Sequence, residues 1–415
     1  LLSRWTETLK NHRDRPAIFE ADTAWSFRDL AHSLDERPEA KSWVLAQGSA
    51  FEIAVATLQG WRDGQAVLPV ERREQAPLLE HPLPAGIAHL KRVPSNTPQP
   101  RFAVFSAEQL AADGDRLVAA MKLEPSTPHL AAVSLAHSYG YSSIILPLLL
   151  HGIPVRNLDV PFPASVVRAL RPHTAIHVPA VPSMWRAWHR AGILQDAPIR
   201  LALSAGAPLS SELEQAIWLN DGLKIHNFYG TSECGGISWD PTDEPRQDPR
   251  SLGQALPDVE VSLDTSGQFT ITSSSVAHGY LPSAINDALE SGTFHTPDTG
   301  HFSDHGAGRE LILDLRSGEH INVAGRKLGP GRIETTIQGT GLVERAKIFG
   351  LPSQDPERVD DIAVLLPAEA DVPTLRRALA NRLAGWQLPR HWIKTHDPSD
   401  WSLSRSALRE KFNPA

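Results

Sequence analysis

One stretch gathers the groups best suited to chemistry: Asn227-Phe228-Tyr229-Gly230-Thr231-Ser232-Glu233-Cys234-Gly235-Gly236-Ile237. The hydroxyls of Thr231 and Ser232 beside the carboxylate of Glu233 suit phosphate oxygens and a hard cation such as Mg²⁺. Gly230, Gly235 and Gly236 allow backbone N–H groups to approach a ligand closely. The same residues also fit a Gly-rich turn after a buried strand, since short motifs arise by chance. A strand-like tract, 200–204, and the turn Ala205-Gly206-Ala207-Pro208 stand upstream, and a polar, Pro-rich tract follows. Cys234 is the single cysteine, which excludes an internal disulfide and fits a reducing cytosol. No partner base is evident for it, so a small buried thiol is its expected role.

The elements that must position these groups follow from the chain at large. Its 415 residues exceed one compact core and suggest two or three domains. A hydrophobic content of 41% and a charged content of 21% are those of a soluble globular protein. The net charge of −8 and pI near 6.1 speak against a nucleic-acid-binding surface. No apolar run reaches the roughly 18–20 residues that span a bilayer, and the start has no signal-peptide pattern.

Residues 1–100 read as mixed α/β. A helix over 1–11 precedes a hairpin over 17–27, Ser26 caps the next helix, and strands at 42–45 and 66–70 flank a helix over 51–62. Strand–helix alternation continues from 101 to 228, with an apolar helix expected over 141–150. Such alternation implies parallel, doubly wound sheets, whose ligands sit at the carboxyl ends of the strands. From 251 to 272, and again from 294 to 315, short alternating strands suggest a small β-barrel, with a hairpin turn at Asp264-Thr265-Ser266-Gly267. A compact α/β tail closes the chain, with helices near 333–337, 372–383 and 404–412.

Several motifs in one order resemble the adenylate-forming superfamily of acyl-CoA synthetases, aryl-acid ligases and peptide-synthetase adenylation domains. Tyr229-Gly230-Thr231-Ser232-Glu233 is similar to its Y-G-x-[ST]-E. Leu203-Ser204-Ala205-Gly206-Ala207-Pro208-Leu209 resembles its S-G-G-A-P-L, and Phe294-His295-Thr296-Pro297-Asp298-Thr299-Gly300 its W-F-x-T-G-D-x-G. Ile321-Asn322-Val323-Ala324-Gly325-Arg326-Lys327-Leu328-Gly329-Pro330-Gly331-Arg332-Ile333-Glu334 resembles the motif that follows the family's hinge. His137-Ser138-Tyr139-Gly140-Tyr141-Ser142 adds a weaker match.

The resemblance implies an α/β fold. A large N-terminal domain of doubly wound sheets plus a small β-barrel, 1–316, would bind acid and ATP. A small mobile α+β domain, 317–415, would swing about Ser317-Gly318-Glu319, with Gly318 able to absorb the change in φ and ψ. It also implies roles. Glu233 would hold Mg²⁺ and Ser232 would touch the phosphates of ATP. Tyr229, with Gly230 and Thr231, would lie near adenine, the Gly206-Ala207-Pro208 backbone would flank the base, and Asp298 and Arg316 would meet the ribose. His137 would stand beside the reacting carboxylate, and Tyr141, Val181, Gly235 and Gly236 would line the acyl pocket.

Two of the family's parts have no counterpart. A Ser/Thr/Gly-rich phosphate loop is expected after Phe105, but Phe105 runs straight into Ser106-Ala107-Glu108-Gln109. Ser402 stands where the resemblance expects a catalytic lysine. Either the site has lost these parts or the protein carries stretches missing from this sequence. An intact mass of 45.4 kDa would establish the former.

The substrate reading starts from Gly140. Amino-acid-activating relatives carry an Asp there to pair an ammonium, and an uncompensated ammonium in a pocket is costly. The expected substrate is therefore a fatty or aryl acid without an α-amino group. It would be converted to an acyl-adenylate with pyrophosphate release, then passed to coenzyme A or to the phosphopantetheine thiol of an acyl-carrier protein. The competing expectation is a degenerate homologue that binds nucleotide or acyl-adenylate as a scaffold or sensor. The His173/His177 and His301/His305 pairs lack the helical setting that would let them chelate a metal.

Overall fold

A computed structural model describes the chain except residues 35–41, 73, 78, 80, 94–99, 266, 284–286, 291, 306–307, 317–320, 356–357 and 414–415. Leu1–Val93 with Phe102–Arg316 form one compact unit, and Pro94–Arg101 with Ser317–Ala415 a second. The expected hinge at Ser317-Gly318-Glu319 lies outside the described residues.

The first unit is built on two sheets, and the larger carries the residues of interest. Six strands form its parallel part: Ile225–Thr231, Ile199–Ser204, Ile176–Ala180, His129–Ala131, Val155–Asn157 and Pro16–Glu20, in that spatial order. Their interiors are nearly continuous apolar runs, as strands covered on both faces require. The β-rich tract after residue 234 continues this sheet. From Ile225–Thr231 the ladder passes antiparallel to Gly235–Trp239, Ser251–Ala255, Gly308–Arg316 and Thr293–His305. The path ends at Val259–Leu263, so the tract is an extension of the parallel sheet. The continuity arises because Ile225–Thr231 folds back on itself in a hairpin, so its edge is never left open.

The smaller sheet has the order Gly279–Leu281, Arg101–Ser106, Ile87–Val93, Ala66–Pro69, Trp43–Ala46. Its strand Arg101–Ser106 enters the helix Ala107–Ala120 without an intervening residue. A capping box closes that join: Ser106 Oγ accepts from Gln109 N–H while Gln109 Oε1 accepts from Ser106 N–H. The same device starts the helix Phe27–His32, where Ser26 and Asp29 exchange bonds.

The apolar helix expected over 141–150 is longer and irregular. It runs from Ser138 to His151, with a π-helical stretch at Tyr141–Ile145. Pro147 gives the reason. It has no N–H to offer the carbonyl four residues back, and its ring crowds that carbonyl, so the helix widens by one residue.

His129 and His177 face each other on neighbouring parallel strands, ring centres 5.2 Å apart. Burial, then the proximity of His177, pushes His129 down to about 3; burial, then Arg200, pushes His177 down to about 4. Both values lie below the ordinary 6.5, so below that pH the unfolded chain binds protons that the folded chain refuses. Stability is therefore expected to be full above pH 6.5 and to fall toward pH 4, by up to about 1.4 kcal/mol per pH unit for each histidine. Urea unfolding across this range should show the decline, and His177→Gln should shallow it. An equal acid slope in the variant would exclude the pair as its source.

The second unit has its own core. Strands Lys347–Pro352, Asp360–Pro367 and His391–Thr395 form a sheet covered by the helices Pro330–Gln338, Val372–Ala380 and Arg405–Phe412. Glu334, the last residue of the fourth motif, accepts from Ile348 N–H at 2.8 Å and from Arg405 Nη2 through both oxygens, at 3.0 and 3.1 Å. That charge-assisted pair pins the Pro330–Gln338 helix to the sheet.

Candidate active site

The carboxyl ends of adjacent parallel strands gather the sequence-predicted residues. Ser204 pairs with Ala180 on one side and with Asn227 on the other. Val181 follows the Ile176–Ala180 strand and begins the helix Pro182–Arg190. Gly206-Ala207-Pro208 follow Ile199–Ser204; Gly206 has φ +81°, exposed beside a buried Ala207. Tyr229 to Glu233 follow in turn. This edge is where open α/β sheets bind ligands.

The opening stretch is a β-hairpin. Thr231 pairs with Gly235 and Gly230 with Gly236, with a bulge after Tyr229, which leaves Ser232, Glu233 and Cys234 as a three-residue loop. Thr231 Oγ1 accepts from Cys234 N–H at 3.2 Å and closes it. The glycines are needed for close approach: a Cβ on Gly230 would stand 2.5 Å from the Gly235 carbonyl oxygen. At the tip, Glu233 is half-buried. Tyr280 Oη donates to its Oε1 at 3.2 Å, and Ala277 N–H donates to its carbonyl at 2.8 Å. Cys234 is fully buried and its thiol is pushed upward by that burial, so it is no nucleophile in this setting.

Below the tip, Tyr229 Oη donates to Asp298 Oδ2 at 2.7 Å, with both residues buried. Asp298 N–H donates to Thr296 Oγ1, which returns a bond to the Asp298 carbonyl. The backbone of Asp298 stands opposite that of Arg316 in the ladder between Thr293–His305 and Gly308–Arg316. The hairpin, Tyr229, Asp298 and Arg316 are thus joined through one chain of contacts, although they are up to 87 residues apart (316 − 229). The Arg316 side chain lies outside the described residues.

Other predicted residues have different surroundings. His137 is exposed and its Nε2 lies 3.0 Å from Glu71 Oε1. Tyr141 is fully buried, donates to Thr57 Oγ1 at 3.3 Å and packs on the His89 ring at 4.2 Å, so the core takes up its side chain. Its neighbour Tyr139 stacks on Phe228 instead. The space left by Gly235 and Gly236 is filled from within: a Cβ on Gly235 would stand 2.2 Å from Asp113 Oδ1, and one on Gly236 within 3 Å of Leu256 and Leu117. Around Ser402, Lys347 Nζ donates to the carbonyls of Trp401 and Leu403.

The donor set suits magnesium carried on a nucleotide. Among the described residues no three acidic, His or Cys side chains converge into a ready-made cage. Mg²⁺ is commonly held by one or two carboxylates together with substrate phosphates, and Glu233 beside the Ser232 hydroxyl offers that chemistry. Nor is any described helix long and apolar enough to cross a membrane.

Comparison with known proteins shows what the chain is similar to. The amide bond synthetase McbA from Marinactinospora thermotolerans has the same fold, with a TM-score of 0.82 over 99% of this chain and 100% of that one, at 18% identity. The family model for AMP-binding enzymes matches residues 97–281. An uncharacterized acyl–CoA ligase, YhfT, of Bacillus subtilis (strain 168) is 23% identical over 55% of this chain and 49% of its own length. A 2-succinylbenzoate–CoA ligase of Staphylococcus aureus (strain MSSA476) is 25% identical over 65% of this chain and 55% of its own. The chain thus spans about half the length of these curated relatives. The segment 97–281 is thus similar to AMP-binding enzymes, and the chain as a whole shares the fold of McbA.

Proposed function

We propose that the chain uses ATP to activate a fatty or aryl acid without an α-amino group, and passes the acyl group to coenzyme A. An oxygen of the carboxylate attacks the α-phosphorus of ATP, the bond to pyrophosphate breaks, and an acyl-adenylate forms. The thiol then attacks the acyl carbonyl, loses its proton to solvent, and AMP leaves. The observation that carries this reading is the buried Tyr229–Asp298 hydrogen bond directly below the Glu233 hairpin.

Both reactants are anionic, so the site must supply positive charge, fixed dipoles and alignment. Glu233 would hold Mg²⁺, which offsets phosphate charge when bound, and Ser232 would touch the phosphates. Asp298, aimed by Tyr229, would accept from ribose hydroxyls. Gly206-Ala207-Pro208 would flank the base, with Thr231 and Gly230 framing it and Arg316 on the ribose side. Val181 stands at the same sheet edge, and the exposed His137, which lies against Glu71, would stand beside the reacting carboxylate. Residues 1–316 would bind acid and ATP, with 317–415 as the mobile domain turning near Gly318.

The absence of an α-amino group is supported by Gly140. This glycine is buried, and a Cβ there would stand 2.1 Å from the Ser134 carbonyl oxygen. An aspartate to pair an ammonium has no room at that position. Coenzyme A is preferred as acceptor because two of the matched relatives are named as CoA ligases. The test is incubation with Mg-ATP, candidate acids and coenzyme A, followed by mass spectrometry. AMP and acyl-CoA are expected; acyl-adenylate without thioester would reject coenzyme A as the acceptor.

A further inference from the structure

The helix Ala107–Ala120 turns a polar face toward the back of the Glu233 hairpin. Gln109, Asp113 and Arg116 follow at spacings of four and three, which places them on one side. Gln109 Nε2 donates to the Val276 carbonyl at 2.7 Å. Asp113 Oδ1 accepts from Gly236 N–H at 3.0 Å. Arg116 donates to Ser275 Oγ at 2.7 Å and to Ser274 Oγ at 3.2 Å. Ser275 Oγ donates in turn to the Cys234 carbonyl at 2.7 Å, and Ala277 N–H to that of Glu233. The backbone on both sides of the hairpin tip is therefore held, directly or through 274–277, by one helix face.

At the centre of that face is a buried ion pair. Lys91 Nζ lies 3.5 Å from Asp113 Oδ2, and the two side chains are 1% and 2% exposed. Lys91 also donates to Ser142 Oγ at 3.0 Å and stands 4.6 Å from the centre of the Phe105 ring. Charges persist in a core only when paired and hydrogen-bonded. Gly235 completes the fit. It has φ +73°, and the Asp113 carboxylate occupies the space that a side chain there would need.

We propose that Lys91 and Asp113 are positioning residues for Glu233: the buried pair fixes the Gly236 amide, and through it the register and tip of the hairpin. Their effect on nucleotide use rests on the reading of Glu233 as the Mg-ATP carboxylate.

Two double variants test this by removing both charges of the pair together, with Arg116 losing the same neighbouring charge in each. Lys91→Met with Asp113→Asn keeps a side-chain oxygen for Gly236 N–H; Lys91→Met with Asp113→Ala removes it. Amide hydrogen–deuterium exchange across 231–237 is expected to quicken about tenfold in the Ala double variant and to stay near wild type in the Asn one. The KM for Mg-ATP should rise about tenfold in the Ala double variant, with kcat changed less, and adding Glu233→Gln should cost less there than it does in the wild type. Equal exchange at 231–237 in the two double variants overturns the positioning role, whether or not the protein turns over ATP. Unequal exchange with an unchanged KM keeps the clamp and instead overturns the reading of Glu233.

Discussion

Glu233→Gln is expected to lower ATP–pyrophosphate exchange by about 100-fold or more, because in the proposed function it removes the carboxylate that would hold Mg²⁺ on the reacting phosphates. The substitution preserves shape and keeps an oxygen for the Tyr280 hydroxyl, which donates to Glu233 Oε1 at 3.2 Å. The Ala277 bond to the Glu233 carbonyl is untouched, since it belongs to the backbone. Unfolding stability should therefore stay within about 0.5 kcal/mol of wild type, as for a substitution that leaves the packing intact. The loss should appear as a weakened dependence on Mg²⁺. Unchanged exchange at limiting Mg²⁺ would remove Glu233 from the chemistry.

The second large effect concerns stability. Glu214 is buried and holds two cations: its Oε1 accepts from Lys224 Nζ at 2.9 Å and its Oε2 from Arg246 Nε at 2.9 Å. Lys224 is shared with Asp240 at 2.6 Å. Arg246 also donates to the carbonyls of Leu209 and Ser251, and Asn227 Nδ2 donates to the latter as well. The network thus ties the turn after Gly206-Ala207-Pro208 to the strand that leads into the hairpin. Breaking a buried pair from one side leaves the other charge uncompensated. Glu214→Leu is accordingly expected to cost about 3–5 kcal/mol in urea unfolding. A loss below about 1 kcal/mol would show that Lys224 and Arg246 find other partners.

Much of this was legible in the sequence where information is local. Ser26 three residues before Asp29, like Ser106 before Gln109, announces a helix start whatever the rest of the chain does. The order of motifs from Leu203 to Glu334 points to the family before any geometry. Long-range pairing was less legible. Asp298 and Arg316 are named by their motifs, but nothing in the spacing says that they face each other across one ladder. Gly235 and Gly236 suggest an open floor, because a sequence does not show that Asp113 fills the space. Lys91 and Asp113 did leave a signal that went unread. Lys91 lies on a buried face of a strand, between His89 and Val93, and Asp113 falls between Leu110 and Leu117 on the buried side of a helix. A charge at such a position needs a partner, and the partner could have been sought.

The join after Phe105 shows how local chemistry and family pattern can disagree. The family pattern expects a loop there, yet Ser106 and Gln109 form a complete capping box with nothing between strand and helix. The phosphates would then rely on the Glu233 hairpin without that cradle. This makes turnover the decisive quantity. ATP–pyrophosphate exchange should be screened with wild-type protein and Mg²⁺ across fatty, aryl and amino acids. Exchange supported by a fatty or aryl acid and absent with amino acids is the predicted result. Mg-ATP binding by calorimetry with no exchange for any acid, or a clear preference for an amino acid, would contradict it.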